Sequence, residues 1–236
     1  MRAVILAGGA GTRLRPFTAT LPKPLVPIGE KPILEIVLGQ LRRAGCTRAT
    51  LAVSRGSATL TRAVFGDGEA VGLAVDYAIE PTPLGTVGPL TLIDDLPDHV
   101  LVMNGDVLTD LDLRALYARH VAGGADVTVA ACPRRVHVDF GVLRCDAAGR
   151  LVAFAEKPTH ELLVSMGVYC LRRDVLARLP RGAPYGFDQL MLDGIARHDA
   201  VDVVTFDGFW LDIGRPEDYD RANELYPSLR ARLDPA

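Results

Sequence analysis

The stretch AVILAGGAGTRLRPFTATLPKPLVPI, residues 3–28, decides how the whole chain is read. Ala3, Val4, Ile5 and Leu6 form a short apolar run of the kind that makes a buried strand. The run breaks at Gly8, Gly9 and Gly11. Glycine takes positive φ without strain and lets a ligand come close to the backbone. A glycine-rich turn after a strand gathers N–H groups into a concavity that suits phosphate oxygens. Thr12 and Arg13 follow, then Lys23 between two prolines, so full positive charge stands beside the turn. The stretch reads as a polyphosphate loop. It does not meet the dinucleotide fingerprint G-x-G-x-x-G, because Leu14 occupies the third glycine position. Pro16, Pro22 and Pro24 bar a continuous helix after the turn. A P-loop needs Gly-Lys-Ser/Thr, which the sequence lacks.

Outward from this loop, strand and helix patterns alternate. Residues 31–44 carry apolar positions at helical spacing and end at Gly45. Residues 48–54 read as a strand, 57–66 as a helix, and 73–77 as a strand. Residues 86–94 predict a short helix, 99–104 a strand, 111–122 a helix and 126–131 a strand. This repeat predicts an α/β fold with a doubly wound, mostly parallel, Rossmann-like sheet. Ligands of such sheets bind beyond the carboxyl ends of the strands, where the glycine loop and Asn104-Gly105-Asp106 both fall. The second half changes character. Two strands around a turn at residues 146–149 and a strand at 162–171 predict a smaller antiparallel portion lying over the first sheet. A helix at 187–198, strands at 201–206 and 210–212 and a helix at 216–225 complete the pattern, with the chain fraying after Pro227. No linker or repeat interrupts it, so one domain over residues 1–236 is expected, without a C-terminal β-helix domain.

Composition narrows the function classes. The chain is 49% hydrophobic and 23% charged, ordinary for a globular protein, and long enough to bury a core without disulfides. A net charge of −3 with mixed signs gives no basic field for a nucleic acid. Cys46, Cys132, Cys145 and Cys170 are widely spaced, which argues against zinc and redox motifs and predicts buried small hydrophobes in a reducing compartment. No apolar run approaches the ~20 residues that span a bilayer, and the N-terminus reads as a strand rather than a signal peptide. A cytoplasmic location without a membrane partner is expected.

Asp106, at a strand end near the phosphate loop, stands where a Mg²⁺ ligand would be needed, or caps an N-G-D turn. The string G-G-x-G-T-R-L-x-P-x-T…P-K-P-L resembles the signature of the sugar-1-phosphate nucleotidyltransferases, the nucleoside-diphosphate-sugar pyrophosphorylases. The resemblance runs from residue 3 to about 225. It implies the nucleotide-diphospho-sugar transferase fold and makes Asp106, in the family's NGD motif, a metal ligand. Trp210-Leu211-Asp212-Ile213-Gly214-Arg215-Pro216 resembles W-x-D-I-G-x-P, whose aspartate is the second carboxylate on the Mg²⁺. Glu80-Pro81-Thr82-Pro83-Leu84-Gly85-Thr86 resembles the base-recognition segment, with Thr86 placed to cap the next helix. Glu80 stands where thymidylyl- and uridylyl-transferring relatives carry glutamine. A carboxylate only accepts, which suits the adjacent N1–H and 2-amino donors of guanine. The following Gly88-Pro89-Leu90 also resembles mannose-1-phosphate guanylyltransferases.

The resemblance thus implies nucleotide binding by Leu6, Gly8, Gly9, Gly11, Thr12, Arg13, Lys23, Glu80, Gly85 and Thr86. It assigns the sugar phosphate to Asn104, Gly141, Glu156, Lys157 and Ser165, where relatives usually carry asparagine at the last. Arg13, Lys23, Asp106 and Asp212 are the expected catalytic residues. The reaction implied is attack of a sugar-1-phosphate on the α-phosphorus of a nucleoside triphosphate, GTP favoured. A glucose-1-phosphate thymidylyl- or uridylyltransferase is the nearest alternative. A non-catalytic nucleotide-sugar sensor and a dinucleotide oxidoreductase are the other classes. A homo-oligomer is compatible with the sequence.

Overall fold

In the computed structural model, which describes residues 1–233, the apolar run becomes β1 (Arg2–Leu6), with Ala3, Val4 and Ile5 fully buried. A strand covered on both faces is what a central parallel strand requires. Two small strands, β2 (Pro27–Ile28) and β3 (Lys31–Pro32), lead into α1 (Ile33–Arg43). Then come β4 (Arg48–Ser54), α2 (Arg55–Phe65), β5 (Ala74–Glu80), β6 (His99–Asn104), β7 (Val107–Thr109) and α3 (Leu113–Gly123). The second half holds β8 (Val127–His137), β9 (Val142–Cys145), β10 (Leu151–Ala155) and β11 (Thr159–Arg172). It ends in α4 (Arg173–Ala177), α5 (Phe187–Arg197), β12 (Val201–Thr205), β13 (Trp210–Asp212) and α6 (Pro216–Leu233).

Seven strands form one sheet in the order β12-β8-β11-β6-β1-β4-β5. Among the described residues only β11 runs antiparallel to its neighbours in it; every other pairing is parallel. Side chains alternate between two cores, as period-2 strands demand. Ala3 and Ile5 of β1 and Leu101 and Met103 of β6 join one cluster, with α1, α2, α3 and α6. Val4, Val100 and Val102 join the other, with α4 and α5. The sheet is therefore covered on both faces, as the alternating pattern predicted.

Four expectations need correction. The second half does supply a smaller antiparallel portion, β11 against β8 and β9 against β10, but it does not lie over the first sheet. Instead β8, β11 and β12 extend the main sheet, and β8 and β11 run on into an exposed arm that carries the β9–β10 hairpin. Their outer halves lack apolar alternation because they leave the core. The chain does not fray at Pro227: α6 continues through it to Leu233, because Tyr226 and Leu233 are buried and the Arg43 guanidinium donates to the Leu233 carbonyl. Tertiary contact there outweighs the one intrahelical bond a proline removes. Residues 86–94 contain a 3-10 helix, Gly88–Leu92, rather than an α-helix. Cys145 is exposed, while Cys46, Cys132 and Cys170 are buried. No helix among the described residues is long and apolar enough to cross a membrane.

Candidate active site

A cavity of about 570 Å³ opens over the carboxyl ends of β1, β4, β5 and β6. Leu6, Gly8, Gly9, Gly11, Thr12 and Arg13 form one wall. Lys23, Asp106, Glu80, Gly85 and Thr86 complete the lining. All ten residues expected to bind nucleotide thus line one space. Gly11 is held at φ 61°, and a Cβ there would stand 2.9 Å from Thr18 and 3.3 Å from Lys23. Glycine is what lets the loop fold down onto Lys23.

Glu80 ends β5 and is 7% exposed. Its Oε2 accepts from the Leu84 N–H at 3.1 Å. Its Oε1 lies across Gly8, 2.0 Å from where a Cβ would sit, so a side chain at residue 8 would have to displace the Glu80 carboxylate. Burial pushes the Glu80 carboxyl up, against the pull of the Leu84 N–H. One carboxylate oxygen is thus engaged, and the other lies beside Gly8 in the lining of the cavity.

The segment after Glu80 is fixed from a distance. The Val87 and Gly88 N–H groups donate to the Tyr185 carbonyl, and the Tyr185 N–H donates to the Leu84 carbonyl. Thr86 does not cap the 3-10 helix that follows it. Its Oγ1 accepts from the Phe187 N–H at 2.9 Å, the first residue of α5. Gly85, at φ 76°, packs against the Tyr185 carbonyl, which a Cβ would meet at 2.7 Å.

Asp106 and Asp212 come together through β7 and β13, which pair antiparallel with Asp212 opposite Val107. The Ile213 N–H donates to the Asp106 carbonyl at 3.0 Å. Asp212 is not spent on capping α6; Asp218 accepts from the Arg215 N–H instead. Burial, reinforced by the Asp106 carboxylate, pushes Asp212 up to about 6, while Lys23 and Arg13 pull it down. The Lys23 ammonium forms an ion pair with Asp106. It lies against the glycine loop, as the sequence suggested, and also beside the carboxylates. The Arg13 guanidinium and the Asp212 carboxylate lie 3.7 and 3.6 Å from the Cβ position of Gly214. Two hard carboxylate donors that repel one another fit a divalent cation such as Mg²⁺. Among the described residues no three His, Cys, Asp or Glu side chains cluster, so the remaining positions would go to phosphate oxygens and water.

The sugar-phosphate candidates divide. Asn104 lines the cavity, and its side chain packs on Gly167, which has φ 72° and no space for a Cβ. Gly141, Glu156, Lys157 and Ser165 lie outside the lining. Glu156 and Gly141 are neighbours, with a Glu156 carboxylate oxygen 3.2 Å from the Gly141 Cβ position. Ser165 shares a 2.9 Å hydrogen bond with the Tyr169 hydroxyl, so its side chain is already partnered within β11. Ser54, Pro83 and Gly214 also line the cavity and were not singled out from the sequence. Ser54 joins β4 to α2 and accepts from the Ser57 N–H, a strand-to-helix junction visible in the sequence.

The chain is similar to known proteins. The chain is 36% identical over 233 residues to a mannose-1-phosphate guanylyltransferase of Mycobacterium tuberculosis, across 94% of this chain and 63% of that protein. It is 33% identical over 241 residues to the mannose-1-phosphate guanylyltransferase catalytic subunit beta of Drosophila pseudoobscura pseudoobscura, across 99% of this chain and 65% of that one. The chain therefore spans less than two thirds of the length of these curated relatives. The crystal structure of HddC from Yersinia pseudotuberculosis superposes with a TM-score of 0.72 at 27% identity, covering 95% of this chain and 99% of that one. A second HddC structure, complexed with GMP-PN, superposes with a TM-score of 0.69 at 26% identity, covering the same shares. The sequence profile described as nucleotidyl transferase matches residues 2–228, from β1 into α6, and the chain belongs to that family.

Proposed function

We propose that the chain transfers a nucleoside monophosphate from a nucleoside triphosphate, GTP by preference, to a hexose- or heptose-1-phosphate. The observation that carries this reading is the single cavity in which a glycine loop, two cations and a buried carboxylate acceptor meet the edge of a carboxylate pair. The names of the two curated relatives support it, and so does the GMP-PN complex of HddC.

In the proposed reaction an oxygen of the sugar-1-phosphate attacks the α-phosphorus in line. The bond from that phosphorus to the α–β bridging oxygen breaks, and its electron pair leaves with pyrophosphate. The nucleophile is already anionic, so catalysis rests on positioning and on charge. The glycine-loop N–H groups and Arg13 hold the departing β- and γ-phosphates. Lys23 stabilises charge at the α-phosphoryl group from its place beside Asp106. Asp106 and Asp212 would hold Mg²⁺, which supplies charge neutralisation at the phosphate oxygens when bound. Glu80 Oε1 accepts from the base, and Asn104, Glu156 and Lys157 orient the sugar phosphate. Gly141 leaves room for its approach, and Ser165 enters only by giving up Tyr169.

The test is pyrophosphate release from each of GTP, dTTP, UTP, ATP and CTP with Mg²⁺ and a panel of sugar-1-phosphates. Turnover highest with GTP is the expected result. Binding without turnover on every pair would leave a sensor, and a preference for dTTP or UTP would remove the role given to Glu80.

A further inference from the structure

Arg134 is a cation that the proposed reaction leaves unused. Side chains of a strand alternate between faces, so along β8 Arg134 shares a side with Cys132, and Arg135 takes the other. Arg135 pairs with Glu161 of β11 at 2.9 Å. Cys132 is buried in the core cluster on which Trp210 packs. Arg134 itself is exposed, and its guanidinium carbon lies 6.0 Å from the centre of the Trp210 ring. Among the described residues it has no carboxylate partner. Trp210 in turn adjoins the site by two routes. Its Nε1–H donates to the Met166 carbonyl at 2.9 Å. The next residue, Gly167, is the one on which Asn104 packs. Along β13, Trp210 shares a face with Asp212, two residues and about 7 Å on, while Leu211 between them is buried.

We propose that Arg134 is a sugar-binding residue of this chain, its guanidinium donating to hydroxyl oxygens of the sugar-1-phosphate. The inference rests on the proposed transfer reaction, which brings a sugar phosphate to Asn104 and the carboxylate pair. A phosphate held there carries its sugar outward, and Trp210 and Arg134 are the side chains that follow Asn104 and Asp212. Their chemistry suits the two surfaces of a sugar. The indole offers an apolar plane to the C–H face of the ring. The guanidinium offers donors in a planar fork and no acceptor, which matches a rim of hydroxyl oxygens. The ring also holds the fork in place, since a cation is attracted to the face of an indole. With no carboxylate to give up, Arg134 binds the sugar without breaking an ion pair.

Trp210 is the chain's single tryptophan, so its fluorescence reports on this spot alone. The test titrates α-mannose-1-phosphate and α-glucose-1-phosphate into the full chain with Mg²⁺ and the α,β-methylene analogue of GTP, which cannot transfer its nucleotide. The better-bound sugar phosphate is expected to change the Trp210 emission saturably. Arg134→Ala is expected to raise the midpoint about tenfold, the low end for hydrogen bonds to a charged group. Arg134→Met, which keeps an apolar stem against the ring, should raise it as much, and Arg135→Ala should leave it unchanged. In turnover the same factor should appear in the KM for sugar phosphate, with the KM for nucleotide unmoved. An emission that neither sugar phosphate changes, or a midpoint that both Arg134 variants leave in place, overturns the proposal. A loss shared equally with the nucleotide makes Arg134 a structural prop of Trp210 and overturns it too. Pyrophosphate release separates this inference from the reaction it rests on. Release by the wild type with an unmoved midpoint removes Arg134 alone. A midpoint that moves without release from any triphosphate removes the reaction and leaves a sugar-phosphate site that Arg134 serves.

Discussion

Replacing Glu80 by glutamine should change base selection without harming the fold. The carboxylate is 7% exposed, and one oxygen accepts from the Leu84 N–H. Glutamine is nearly isosteric, and its carbonyl oxygen can keep that bond. The amide nitrogen then takes the place of Oε1 beside Gly8 and turns an acceptor into a donor. Guanine offers N1–H and the 2-amino group there, so a donor meets a donor. A hydrogen bond to a charged group contributes ~1.5–3 kcal/mol, which converts to about a ten- to hundredfold fall in kcat/KM for GTP relative to dTTP. Burial already pushes Glu80 up, so removing its charge should not lower stability, and the melting temperature should be unchanged. The assay is pyrophosphate release at limiting nucleotide with each triphosphate in turn. An unchanged ratio of GTP to dTTP efficiency would refute base reading by Glu80 and leave that task to the backbone near Gly85.

Asp106→Asn or Asp212→Asn should abolish nearly all turnover at saturating Mg²⁺ while circular dichroism stays native; because Asp212 is pushed up to about 6, its amide variant should melt no lower than wild type at pH 7. Lys23→Ala should lower kcat more than it raises the KM for nucleotide, the mark of charge stabilised in the transition state; a change in KM alone would make Lys23 a binding group. Buried His120, bonded to Thr128, is lowered to about 4 by burial. The unfolded chain therefore takes up this proton near pH 6.5 and the folded chain only near 4, so stability is held above pH 6.5 and lost as pH falls through that window. The full loss is about 3 kcal/mol, and urea unfolding of His120→Gln should show a correspondingly flatter pH dependence, whereas equal slopes would refute it.

Much of this was legible from residues 3–28 and from the β–α alternation, because both are local signals. The strands at 48–54 and 99–104 coincide with β4 and β6, since runs buried on both faces announce themselves. Asp212 was legible only through the W-x-D-I-G-x-P resemblance; its approach to Asp106 is made by pairing β13 with β7, a hundred residues apart. The arm was misjudged because the outer halves of β8 and β11 are exposed and carry no apolar period. Thr86 was misassigned for a similar reason. Its partner at Phe187 is remote in sequence, and a hydroxyl before a helix looks like a local cap. The Ser165 hydroxyl gave no hint that Tyr169 would claim it.

The link between the segment at residues 84–88 and Tyr185–Phe187 has a further consequence. Four hydrogen bonds hold that segment to a distant part of the chain. Its shape is settled when the sheet assembles, before any base arrives. On the proposed function, this wall would work as a fixed gauge rather than a closing flap. A base that fits poorly would not be accommodated by movement of that backbone. A descendant of this chain would then change its preferred base by exchanging side chains along the gauge, with the backbone left as it stands.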